Sequence, residues 1–127
     1  DKSEDAPVRA VAPVVTADSL NYRLYGGNAL DKIAAAKQCS KFGTACLDRL
    51  IAALAAPDNR PDVRVAAANA IAVMGKAGKK VDARLREVLL STKCTEIVPS
   101  ADCLKREASM EPLQRAVQAA IRSVNGL

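Results

Sequence analysis

Residues 44–78 read TACLDRLIAALAAPDNRPDVRVAAANAIAVMGKAG. Leu47, Leu50, Ile51 and Leu54 recur at i, i+3, i+4 and i+7, which is one face of an amphipathic helix over about 44–56. Ala-Pro-Asp-Asn-Arg-Pro-Asp then breaks that helix and starts another. Pro61 falls in its first turn, where a missing N–H costs nothing. Val63, Ala67, Ala70, Ile71 and Met74 form the second stripe, and Gly75 and Gly78 end it. The stretch is therefore two helices, each with an apolar stripe, separated by a break.

The rest of the chain repeats this style. Of 127 residues 25 are Ala, and the aromatics are only Tyr22, Tyr25 and Phe42. Alanine favours helix over strand, so the expected class is all-α, in one domain. A first helix is expected from about Asp18 to Lys37, capped by Thr16 or Asp18, with Leu20, Leu24, Ala29, Leu30 and Ile33 apolar and Gly26-Gly27 in its middle. Further helices are expected over about Val81–Ser91 (Val81, Leu85, Val88, Leu89) and Glu111–Val124, the latter capped by Ser109. Residues 92–108 read as irregular around Val98-Pro99-Ser100, with a turn or two of helix after Ser100. Residues 1–15 keep no period and hold Pro7 and Pro13; they read as an extended or mobile arm, of the kind that follows a removed signal peptide, ahead of a helical domain at 16–127.

Three helices align without gaps: Tyr22–Ile33, Val63–Met74 and Leu113–Val124. The offsets are 41 residues (Leu30 to Ile71) and 50 (Ile71 to Ile121). Residues 44–78 resemble one complete HEAT-like repeat, with Asp62-Val63-Arg64 and the Ala67–Gly75 run carrying the likeness; 18–37 and 109–125 resemble it less closely. The resemblance implies a short α-solenoid of about three helix pairs, the first lacking its leading helix, in which Ile33, Met74 and Val124 share a buried edge. It implies no catalytic residue. An unrelated bundle of four or five Ala-rich helices is the alternative.

Four cysteines, Cys39, Cys46, Cys94 and Cys103, occur without any His or CxxC, which argues against a structural zinc and excludes His-based catalysis. An even count fits disulfides and an exported protein, periplasmic or extracellular; four buried thiols in a cytosolic protein is the other reading. The sequential pairing Cys39–Cys46 and Cys94–Cys103 is expected. Cysteines seven apart on one helix would stand about 10 Å apart, but Phe42-Gly43 and Pro99 turn the chain within each pair. No cofactor or metal is expected, and no stretch is apolar enough to span a bilayer.

Binding residues are sought on the solvent side of the aligned helices. Val65, Ala68, Asn69 and Ala72 lie opposite the core stripe, with Arg115, Gln118 and Arg122 at matching places on the last helix. A small, uncharged helix face is covered either by the protein itself or by a partner. A second candidate is the basic stretch Lys76, Lys79, Lys80, Arg84 and Arg86, within a net charge of +5. Arg64 and Asp62 read as an ion pair between repeats. The expected function is a non-catalytic protein-interaction module or adaptor binding a protein partner, acidic in character, on the solenoid's concave face; pairing with a second copy is open. Two alternatives stand beside it: a polyanion or nucleic-acid binder using Lys76–Arg86, which the scarcity of aromatics disfavours, and an accessory protein for cofactor maturation.

Overall fold

The computed structural model describes residues 15–127. Most of the expected arm at 1–15 thus lies outside the described residues. Those described form seven α-helices and two 3-10 segments, with no strand among them. The all-α class is as expected.

The first departure is at Gly27. α1 (Ala17–Gly26) is capped by Thr16, whose Oγ1 accepts from Ser19 N at 3.1 Å. It stops where Gly27 turns extended and donates its N–H to Arg23 O at 2.9 Å. A Cβ on Gly27 would lie 2.6 Å from that carbonyl oxygen and 2.7 Å from Asp31 Cβ, so only glycine fits. Asn28 then caps α2 (Ala29–Cys39) by accepting from Asp31 N at 2.9 Å. The single helix expected over 18–37 is two helices, and Leu30, expected in the core, is 74% exposed near the start of α2. The inward residues of α2 are Ala35, Ala36 and Cys39, with Ile33 half-buried beside them.

A 3-10 segment, Ser40–Ala45, reverses the chain through Gly43 at φ +57°. α3 (Leu47–Ala55) buries Leu47, Leu50, Ile51 and Leu54 completely or nearly so. α4 (Pro61–Met74) begins at Pro61 and ends at Gly75, φ +60°. The 3-10 segment Gly75–Val81 leads into α5 (Asp82–Ser91), which turns Leu85 and Val88 inward below Val81. Gly78 is buried because a Cβ there would meet Val124 Cγ1 at 3.0 Å.

The stretch after α5 holds more helix than expected. Ser100 caps α6 (Ala101–Ser109), its Oγ accepting from Cys103 N at 3.1 Å. α7 (Glu111–Val124) follows after Met110 alone. Ser109 is therefore the last residue of α6 and caps nothing; its hydroxyl donates to Arg106 O at 2.7 Å.

The most extensive packing is between α4 and α7. α1 lies against α2, α3 against α4, and α5 against α7, while α6 touches α7. α2, α4 and α7 run side by side with α4 in the middle; α3 lies between α1 and α5. One continuous apolar cluster runs from Leu20 to Val124, with Ile33 and Met74 packed against it. Burial also sets the correspondence between helices. Val63, Ala66, Ala67 and Ala70 of α4 match Leu113, Ala116, Val117 and Ala120 of α7, all buried, at the expected spacing of 50. In α2 the matching positions are Ala35, Ala36 and Cys39, which lie 31 residues before Ala66, Ala67 and Ala70. The burial of α2 does not follow the expected offset of 41, which aligns the exposed Leu30 with the buried Ile71.

Candidate binding surface

The outer sides of α2, α4 and α7 form the face on which binding residues were sought. Between α2 and α4 lies a groove of about 300 Å³, lined by Ile33, Lys37 and Ser40 on one side and by Asp62, Val65, Asn69 and Val73 on the other. Val73 is 73% exposed at its rim. Among the described residues the only charges on this groove are Lys37 at one wall and Asp62 at the other. On α7, a second depression of about 510 Å³ is lined by Arg115, Gln118, Arg122, Ser123 and Leu127. Arg115 is partly engaged, donating to Glu111 at 3.1 Å.

The structure divides the expected residues. Val65 and Asn69 line the groove, and Arg115, Gln118 and Arg122 line the depression on the neighbouring helix. Ala68 does not belong to the surface. It is fully buried, because α4 is enclosed by α2, α3 and α7 and keeps only a narrow strip for solvent. Ala72 is half-buried, and its carbonyl accepts a hydrogen bond from the Ser123 hydroxyl, which ties α4 to α7.

The basic stretch is drawn in several directions. Lys79 donates to Asn125 at the end of α7, Lys80 pairs with Asp48 of α3 at 3.4 Å, and Arg86 pairs with Asp82 at 3.2 Å. The Lys76 side chain lies over Gly126, where a Cβ would come within 2.6 Å of its Cε. Asp82 also accepts from Asn125 Nδ2 at 3.0 Å, and these contacts, Asn125 foremost and Arg86 next, hold its carboxyl below the usual range.

Arg64 does not pair with Asp62. Asp62 is held by Arg60 at 2.8 Å, while Arg64 turns inward, donating Nε–H to Leu54 O at 2.8 Å with 6% of its surface exposed. Burial pulls its pKa down. Sequence reasoning missed this, although Arg64, Ala67, Ala68 and Ile71 share one helical stripe and the other three are core. It also missed a pocket of about 310 Å³ between α1 and the end of α3, where the Arg49 guanidinium lies 4.8 Å over the Tyr25 ring and Lys32 donates to Asn59 at 2.8 Å.

The cysteines differ by pair. Cys94 and Cys103 are joined, Cα–Cα 5.5 Å, clamping the loop before α6 to that helix. The expected Cys39–Cys46 bond is not formed: both residues are free, buried thiols on either side of the Ser40–Ala45 reversal. Burial, and then the adjacent Cys46 thiol, pushes the Cys39 thiol far above its ordinary pKa. A thiol kept protonated in this way is a poor nucleophile. Among the described residues one cluster of possible metal donors occurs, Cys94, Glu96 and Cys103, within 4.8 Å of one another. Its sulfurs are bonded to each other, and Glu96 accepts from Ser100 N at 2.8 Å, so it offers no thiolate.

Among the described residues no helix is long and apolar enough to cross a membrane. No protein-family description, curated protein or solved structure matches this chain.

Proposed function

We propose that the chain is an exported, HEAT-like helical-repeat module without chemistry of its own, which holds a segment of a partner protein across α2, α4 and α7. One observation carries this reading: an almost uncharged groove at Val65, Asn69 and Val73 stands beside a cationic depression at Arg115 and Arg122. A segment with apolar anchors at one end and acidic residues at the other would complement both, since exposed helix faces otherwise carry mixed charge. The pairwise packing α1–α2, α3–α4 and α5–α7 supports the repeat architecture, in which successive second helices share one face. The Cys94–Cys103 bond supports export. Lys76–Arg86 makes the weaker surface, since Lys79, Lys80 and Arg86 already have partners.

The test places a photo-crosslinking residue at Val73 and, separately, at Arg84, in protein returned to its native exported fraction. Crosslinks from position 73 that vanish with Val65→Glu, together with none from position 84, are expected. Crosslinks from position 84 alone, with salt-sensitive retention on heparin, would move the binding surface to the basic stretch.

A further inference from the structure

Arg64 is a largely buried cation with no acidic partner among the described residues. Its Nε–H bonds a neutral carbonyl, Leu54 O, and the other four N–H groups of the guanidinium find no acceptor among the described residues. Two acids on the elements around it are engaged elsewhere: Asp62 by Arg60 and Glu111 by Arg115. Its terminal nitrogens are not sealed in, since among the described residues Asn21 Oδ1 alone is a buried side-chain polar atom without a partner, so an anion entering from solvent can reach them.

The guanidinium does not end against solid protein. It lines a cavity of about 110 Å³ whose other walls are Pro61, Ser109, Met110, Pro112 and Leu113. These walls are mostly apolar. Pro61 opens α4 and Pro112 lies in the first turn of α7, while Ser109 and Met110 end α6, so the positive ends of two helix dipoles and the negative end of a third flank the same space. The Ser109 hydroxyl donates to Arg106 O and leaves only an acceptor.

We propose that this cavity is a binding site for a carboxylate carrying a short apolar group, with Arg64 as its floor. The planar fork of a guanidinium takes a carboxylate through two parallel hydrogen bonds. A phosphate dianion fits worse, because Arg64 is the one cation lining the cavity. The volume suits a head group and a few carbons, which would rest on Met110 and Leu113. The carboxylate comes either from a free small acid or from the C-terminus of a peptide. This site lies apart from the α2–α4 groove and does not depend on the function proposed there.

The experiment follows the amide resonance of Leu113, the Arg64 Nε–H resonance and the thermal midpoint of the full chain during titration with butyrate. Butyramide, of the same shape without the charge, is the control. Saturable shifts and a raised midpoint with butyrate, at least tenfold weaker with butyramide, are expected, and Arg64→Met should abolish the difference. Equal responses to the two compounds, or none to either, overturn the proposal; that comparison uses the wild type alone and survives a failure of Arg64→Met to fold. Short peptides ending in Val with a free or an amidated C-terminus separate the sources. Binding of the free-acid peptide tighter than butyrate assigns the site to a chain end, and binding of butyrate alone assigns it to a small acid.

Discussion

Removing the Cys94–Cys103 bond by Cys94→Ser with Cys103→Ala should destabilise the oxidised protein by an amount that the loop length sets. The bridge closes a separation of 9 residues. In the chain-entropy relation such a loop corresponds to about 2.6 kcal/mol at 25 °C, most of it acting through the unfolded chain. For a domain of this size that is roughly a 10 °C fall in the thermal midpoint. Little in the folded state opposes the loss, since the enclosed loop places Ile97 and Val98 in solvent and is held otherwise by Ser100 N on Glu96 and Cys94 N on Glu107. The assay is urea unfolding of both proteins, each with and without reductant. Wild type should lose stability on reduction, whereas the double variant should ignore reductant. A loss under about 1 kcal/mol would refute the loop-entropy reasoning. A double variant that still responds to reductant would show a second bridge, Cys39–Cys46, in the oxidised molecule.

Three other outcomes follow from the packing and the charges. Ile71→Ala, at a fully buried site in the central helix, should cost about 2–5 kcal/mol in urea unfolding, whereas Leu30→Ser should stay within about 0.5 kcal/mol. Asp82 has a depressed carboxyl pKa in the folded protein, so its contribution is present above the ordinary carboxylate range and is lost as pH falls through the folded value. The gap in thermal midpoint between wild type and Asp82→Asn should therefore be open at pH 7 and closed at pH 2. Cys39 and Cys46 should resist iodoacetamide at pH 8 in the native protein and react together on unfolding, a two-thiol mass increase that partial native labelling would contradict.

Helices whose ends carry proline or a positive-φ glycine were legible to within a residue or so. Pro61, Gly75 and Pro112 act locally, whatever surrounds them. The break at Gly27 was hidden by an apolar period that continues through it from Leu24 to Leu30. What ends the helix is a reciprocal cap between Asn28 and Asp31, a signal weaker than the usual Ser or Thr with Glu. Missing that break put Leu30 inside, aligned with the buried Ile71. For the candidate site, Val65 and Asn69 were legible because they oppose Val63 and Ala67 on one helical wheel. Ala68 was not, since alanine carries no mark of which side it faces and α4 is enclosed by three helices. Arg64 was misjudged because a charged residue beside Asp62 suggests a surface pair, and only the fold shows Arg60 in that role.

Ala35, Ala36, Ala67 and Ala120 are wholly enclosed where α2, α4 and α7 pack side by side, and their small side chains favour a close approach. Such an interior tolerates change asymmetrically. Trimming a neighbour leaves a small hole, but a single added methyl at any of these alanines acts as a wedge between two stiff rods and must displace whole helices. Substitutions should therefore be tolerated best at the rims and loops, and insertions best beside α6, which packs chiefly against α7.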